Sequence, residues 1–457
     1  RCFLRPIGEF WMIRKHFAGF AASALALAVS AQAFAGTVTT DGTDIMIKTK
    51  SGLEVTTTDK QYSFKLGGRL QADFDQFDGV YTKNNNSANE SYFRRAQLEF
   101  GGNYKDWRYQ ANVDFADLAG SKTKWDEASI AYTGFAPIVI KVGKFDQDYG
   151  LEKATSSKWT TAIERTAVYD LASWVNDKED GMGIQVSGTT AGMFYGSAGI
   201  TQQDGTATYG STTEQLGEDD DGEDVNTFNA RGVFAPIVSE TEVLHLGLDY
   251  AERSYEDDTF KGGISSRLGV RGITENTQNS AAIKMADTDA GYFSDDQVWG
   301  AEFAYMNGPF SVQSEYLSRD LSGQDDNSDR EATGYNAQLA YTLTGESRVY
   351  KLDGGKFDAI KPADKTMGAW EVFYRYDDIK VEDDNGGLDT ISGLNIDETT
   401  AKIHTLGVNW YANEAVKVSL NYLMSTTDDE TVAVQKRATD ATDDDGKALS
   451  LRAQYVF

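Results

Sequence analysis

Histidine and cysteine are nearly missing from this chain. Its only cysteine is Cys2, so no disulfide framework can form. Of the 3 histidines, only His245 and His404 lie beyond the first 35 residues. Neither has a nucleophile at catalytic spacing, and no His or Cys pair stands at zinc-ligand spacing. The reading is therefore not an enzyme, with no cofactor and no metal. Proline is scarce too, at 5 residues. Long apolar runs are lacking, and the mean hydropathy of −0.47 excludes a bundle of membrane helices. The one apolar stretch, Phe17–Ala31, follows Met12-Ile13-Arg14-Lys15 and precedes Ala33-Phe34-Ala35. That pattern predicts a signal peptide over 12–35, cut after Ala35, with 1–11 an upstream or cloning-derived extension. Positive charge is the last shortage: 43 Lys and Arg stand against 71 Asp and Glu, a net of −28. The first 35 residues take away four bases and one acid, leaving the remainder more acidic still. Such a balance argues against nucleic acid as a partner.

What the sequence has in quantity is period-two alternation, with 44 Gly, 23 Tyr, 23 Phe and 8 Trp to build strands and turns. At the C-terminus Leu449, Leu451, Ala453, Tyr455 and Phe457 oppose Ser450, Arg452, Gln454 and Val456. Similar stretches begin near residues 63, 92, 107, 127, 138, 181, 193, 228, 244, 298, 310, 334, 370, 404, 416 and 448, giving 16 predicted strands. Tight turns (102–106, 134–137, 188–192, 307–309, 412–415) alternate with long links (78–91, 146–180, 202–227, 254–297, 320–333, 379–403, 426–447). The link 345–369 is long where a turn is due. An even strand number with short turns at one end and long loops at the other is the pattern of a transmembrane β-barrel. Lipid demands an apolar outer wall and a closed sheet, and a wide wet lumen demands a polar inner face. A soluble sandwich also alternates, but aromatics at strand ends, strands of about ten residues and an aromatic C-terminus favour the barrel. The expected organisation is an N-terminal periplasmic segment at 36–62 and an all-β, 16-stranded antiparallel barrel at 63–457.

Charge is unevenly spread. Acids crowd the long links, as in Glu218-Asp219-Asp220-Asp221, Glu382-Asp383-Asp384 and Asp443-Asp444-Asp445. They read as solvated loops, or as sites where divalent cations bridge to lipopolysaccharide phosphates. DDDGED is out of register for a calcium loop. Bases sit on polar strand faces (Lys65, Arg69, Arg95, Arg108, Lys141, Arg231) and in LEKATSSKWTTAIER, where Lys153, Lys158 and Arg165 accompany Thr155, Ser156 and Ser157. Guanidinium and ammonium groups give charge-assisted hydrogen bonds to oxyanions, and hydroxyls replace lost hydration. Bases inside and acids outside predict an anion pathway.

The phrases SYFRRAQLEFGG (91–102), DEASIAYTGFAP (126–137), GLEKATSSKWTTAIER (150–165), YTLTGESRVYKLDGGKFDAIKP (341–362) and HTLGVNWYANEAVKVSLNY (404–422) closely resemble the phosphate- and polyphosphate-selective porins of the O/P type. The resemblance implies a homotrimer of 16-stranded barrels in lipopolysaccharide-bearing outer-membrane lipid, each with a long inward-folded third loop. It implies that Lys153, Ser156, Ser157, Lys158 and Arg165 bind the anion at a constriction. Arg69, Arg94 and Arg95 would be wall arginines there, with Asp126 an acid beside the narrow site. Arg231, Arg267 and Arg271 would form an arginine track above, and Lys48, Lys50, Lys60, Lys65, Lys351, Lys356 and Lys361 a lower lysine cluster. Gln97 and Asp146 depart from the aromatic rings of phosphate-preferring relatives and would tune selectivity. Asp146 is shared with polyphosphate-preferring ones.

The expected function is thus facilitated diffusion of inorganic phosphate or polyphosphate across a Gram-negative outer membrane. A general porin, or a plugged adhesive barrel, is the competing reading.

Overall fold

The computed structural model describes residues 36–38, 45–49, 52–116, 124–176, 182–203, 225–254, 260–276, 279–280, 282–287, 292–323, 328–385, 387–388, 395–436 and 443–457. Strands of the barrel wall run β1 (Tyr62–Phe77), β2 (Ala88–Tyr104), β3 (Trp107–Asp114), β4 (Lys124–Phe135), β5 (Ile138–Lys144), β6 (Met182–Thr190), β7 (Phe194–Gln203) and β8 (Val225–Val238). They continue as β9 (Glu242–Ser254), β10 (Tyr292–Asn307), β11 (Phe310–Gly323), β12 (Arg330–Thr342), β13 (Ala369–Asp383), β14 (Glu398–Tyr411), β15 (Val416–Thr427) and β16 (Asp445–Val456). Each pairs antiparallel with its neighbours, and β16 pairs β1 from Ala448↔Phe77 to Val456↔Arg69, so the 16-stranded wall closes. Closure leaves no open edge of unpaired backbone in lipid.

Alternation along β16 carries the predicted faces. Leu449 is exposed, while Ser450, Arg452 and Gln454 are buried. Outward aromatics gather at the turn end of the wall, as Tyr62 with Tyr104, Trp107 with Tyr132, Phe194 with Phe234, and Trp370 stacked on Trp410. Tyr250 with Trp299 and Tyr335 with Tyr376 mark the loop end. Two such girdles fit the two faces of a bilayer.

Strand starts next to short turns fall where the alternation predicts them, at 107, 138, 310 and 416. Most of those after long loops start earlier, above all β10 at Tyr292 rather than 298 and β14 at Glu398 rather than 404, while β6 starts at Met182, beside the expected 181. The reason is physical. Backbone pairing continues past the lipid, where the outer face no longer has to be apolar. The acid-rich 202–227 link lies largely outside the described residues.

Two further expectations need correction. The inner face is not uniformly polar. Near the loop end, the inward positions Val298, Leu317, Leu321, Ile379, Val381, Ile403 and Leu423 pack with Leu171, Trp174 and Val175 of the third loop, and with Leu268, Val270, Ile273, Ile283 and Met285 of the fifth. Each fully buried side chain of this size contributes ~1.5–3 kcal/mol, so this part of the lumen holds a packed apolar core. Nor are acids confined to the loops. Asp73, Asp75, Asp249, Asp296, Glu302, Glu315 and Asp377 are buried on inward strand positions.

The long connection that broke the turn pattern contains a hairpin, Arg348–Lys351 paired with Lys356–Ile360. Its Phe357 packs with Leu151, Val243, Ala304 and Met306, and Arg348 donates to Gln313. Ahead of β1, strands Gly36–Val38, Ile45–Lys48 and Leu53–Thr57 pair in series and extend the sheet, the last against β1 at Ser63–Leu66.

Candidate anion-binding site

The third loop, entered after β5, is held by inward side chains from many strands. Gly150 has φ 74, and a Cβ there would meet the Tyr169 hydroxyl, so glycine is required at the entry. Gly150 N donates to Asp249 Oδ1 at 2.8 Å, and Leu151 N to Glu315 Oε1 at 2.7 Å. These carboxylates satisfy the free N–H groups that open the helical turn Leu151–Ala154. Farther along, several of the loop's carbonyls are met by wall donors. Lys417 Nζ reaches Thr160 O at 2.7 Å, Asn409 Nδ2 reaches Thr161 O at 2.8 Å, and Arg452 Nη1 reaches Ile163 O at 2.6 Å. Arg348 of the inner hairpin holds Trp159 O, and Arg319 holds Leu171 O. Arg69 Nη1 donates to Ser157 Oγ at 2.7 Å. The loop's bonds thus extend from β9 and β11 to β1 and β16.

Arg165 acts within the loop. Its guanidinium donates to the carbonyls of Glu152, Lys153 and Thr155 at 3.0–3.3 Å, fixing the turn that carries Lys153 and Ser156. Glu164 faces the other way, to Arg94 at 2.9 Å and Arg452 at 2.7 Å. Burial alone would push its carboxyl up, but Arg94 and then Arg452 hold it well below the usual range. Lys158 is shifted down, by burial first and against the pull of Glu99.

Beside this loop lies a cavity of about 900 Å³. Arg69, Arg95, Arg108, Asp126, Lys141, Asp146, Lys153, Ser156, Ser157, Lys158, Arg165, Arg267, Arg271 and Lys356 line it, together with Glu99, Glu127, Asp148 and Asp353. Its strand residues come from β1 to β7, so it lies to one side of the apolar core. The lining bases fall into two sets. Lys158 is 2.5 Å from Glu99, Lys141 is 2.6 Å from Glu127, and Lys153 is 3.5 Å from Asp146. Arg69, Arg95, Arg108 and Arg165 make no ion pair among the described residues. Arg69 is instead oriented by Gln97 Oε1 at 2.5 Å and Ser157, and Arg95 by Gln71 at 3.3 Å. Guanidinium groups whose direct hydrogen-bond partners are neutral are suited to receive an oxyanion.

Other sequence-picked residues lie elsewhere. Arg94 is paired with Glu164, off the cavity wall. Gln97 is buried, accepting from Arg69 and donating to Asp114 at 2.9 Å. Arg231 is buried in a four-way clamp with Glu302 at 2.7 Å, Asp148 at 3.1 Å, and the carbonyls of Gly354 and Gly355. Arg267 and Arg271 reach the cavity from the fifth loop, where Arg271 pairs with Glu275 at 2.8 Å. Burial, then the Arg271 cation, pushes Arg267 down to about 10. Of the lower lysines only Lys356 lines the cavity. Lys48 pairs with Glu54 at 3.6 Å and Lys351 with Asp358, while Lys60, Lys65 and Lys361 are exposed. Lys50 lies outside the described residues. Sequence reasoning passed over Glu99, Glu127, Glu315 and Arg452. Inward phase was the available signal, since Arg452 pairs with Asp73 across the closing strands.

A closed, girdled barrel with a base-lined cavity defines an outer-membrane porin. Residues 64–457 match the family described as phosphate-selective porin O and P. The chain is 55% identical to Porin O of Pseudomonas aeruginosa over 459 residues, covering 98% of this chain and 100% of that one. It belongs to this family of porins and is a protein of the Gram-negative outer membrane. More distant barrels share the fold alone. Vibrio cholerae OmpT is 13% identical with TM-score 0.51, covering 87% of this chain and 98% of its own. Salmonella typhi OmpF, in complex with daunomycin, is 11% identical with TM-score 0.52, covering 87% and 99%.

Proposed function

We propose that the chain conducts phosphate by facilitated diffusion, and that the third loop crosses the lumen to form the narrow, selective part of the path. The carrying observation is that Arg69, Arg95, Arg108 and Arg165 line one cavity with Ser156 and Ser157, with no ion pair among the described residues. An anion would pass Arg271 and Arg267, exchange hydration for the arginines, serines and lysines beside the loop, and leave past Lys356. Each contact has to replace water yet let go. Asp126 and Asp146 would keep the site from becoming a sink, and Gln97 acts through Arg69.

In this reading Arg94 and Arg231 hold the loop and the inner hairpin rather than meet the anion. Lys48, Lys60, Lys65, Lys351 and Lys361 would supply a diffuse positive field at the turn end. The leader at 12–35 exports the chain, and the mature barrel works as a homotrimer anchored by lipopolysaccharide. These last points rest on the sequence resemblance. Polyphosphate is the alternative substrate, favoured by Asp146 in place of a ring.

The test is a planar-bilayer recording of chloride current with orthophosphate, then tripolyphosphate, titrated in. Saturable block supports the anion site, and the species blocking at lower concentration is the preferred one. Conductance without block by either, or a cation-selective reversal potential in a salt gradient, favours a general porin.

A further inference from the structure

Two carboxylates in the cavity wall have no assigned role. Glu99, on β2, faces Lys158 with both oxygens, at 2.5 and 2.8 Å. Glu127, on β4, takes Lys141 at 2.6 Å and is oriented by the Ser129 hydroxyl at 2.7 Å. Neither pair is freely solvated, the side chains being 17–28% exposed. Both pairs line the cavity in which Arg69, Arg95, Arg108 and Arg165 make no ion pair among the described residues. The arrangement is selective: Lys141 and Lys158 are occupied by carboxylates, and those four arginines are not.

We propose that Glu99 and Glu127 are built-in competing ligands, which take Lys158 and Lys141 back from a bound anion and so set how fast phosphate is released. The inference rests on the phosphate reading above. An ammonium close to a carboxylate is already satisfied, and an entering oxyanion must share or displace that partner. A dianionic phosphate held by the neighbouring arginines competes well. Chloride, with one charge and no hydrogen-bonding fork, competes poorly. When phosphate moves on, the tethered carboxylate re-pairs without diffusing from solution, as an intramolecular partner at high effective concentration. The lysines then contribute to capture while the glutamates limit dwell time.

The experiment is single-channel recording in planar bilayers, with chloride carrying current and orthophosphate as blocker, on the wild type, Glu99→Gln, Glu127→Gln and Asp353→Asn. Asp353 lines the same cavity but makes no ion pair among the described residues, so its variant reports the general field of one lost negative charge. Chloride conductance certifies that each channel is folded and open. Glu99→Gln is expected to lengthen phosphate-blocked events and lower the half-blocking concentration roughly tenfold, the lower range for removing a close charge partner. Asp353→Asn should shift it far less. In the Glu99→Gln/Lys158→Met double variant the Glu99→Gln gain should vanish, because no freed ammonium remains. Unchanged dwell times in both Gln variants, or equal shifts in Asp353→Asn, would overturn the competing-ligand role. A wild-type channel that phosphate does not block at all would instead overturn the phosphate reading itself.

Discussion

The Phe457 ring fills the space that a Cβ on Gly68 would need, and the two residues exchange both backbone bonds, at 2.8 and 3.0 Å. The last residue is therefore stitched to the first strand. Gly68→Val would drive a side chain into both the ring and Gln97 O. The expected outcome is failed closure: little heat-modifiable folded barrel in a semi-native gel, while Gly232→Ala, at an open position, folds normally.

Arg165 grips three loop carbonyls and faces the cavity. Losing charge-assisted hydrogen bonds costs ~1.5–3 kcal/mol each, so Arg165→Ala should weaken phosphate block by at least about tenfold. Chloride current should persist. Arg165→Lys, which keeps charge but not the fork, is expected to fall between the two, as half-blocking concentrations measured side by side will reveal.

Arg452 joins Asp73, Glu164 and Ile163 O with 2.6–2.7 Å bonds in a buried position. Removing one partner of such a buried set typically destabilises by ~3–5 kcal/mol. Arg452→Met should therefore loosen the third loop without opening the wall. Expected signs are flickering open-channel current and faster proteolysis between 145 and 176, with strand content by circular dichroism unchanged.

Acid should reach the loop late. Desolvation disfavours the Glu164 anion, but Arg94 and Arg452 outweigh it and lower its folded-state pKa. A lowered carboxyl pKa gives stability that is present above the unfolded value of about 4.3 and is lost as pH falls through the folded value. Current in the wild type should stay quiet at pH 4, where free carboxylates are already half protonated. Glu164→Gln should be noisy at neutral pH and lack this acid-dependent step.

How much of this was legible in the sequence differed by region. Outer faces were readable because lipid imposes one rule on every strand, so Tyr335, Ala337, Leu339 and Tyr341 hold the outer phase while Asn336 and Gln338 hold the inner one. The apolar inner mass was not. Ile379 and Val381 occupy the same inward phase as Arg375 and Asp377, and an apolar residue arriving on the polar phase reads as the strand's end. That is why a loop was expected from 379 onward. The cavity bases were legible as types. The pairing of Lys158 with Glu99, beside arginines such as Arg69 that make no ion pair among the described residues, was not, since Glu99 and Lys158 are brought together only by the path of the third loop.

That inner mass of Leu171, Trp174, Ile273, Ile283 and their neighbours has an engineering consequence. In an empty cylinder, bore follows strand number, and a narrower channel needs a smaller wall. Here a solid filling occupies one flank, so aperture and circumference are set by different stretches of chain. Substitutions in the third and fifth loops can re-gauge the conduit for a longer or shorter anion while the lipid-facing cylinder, and everything that recognises it, stays as it is.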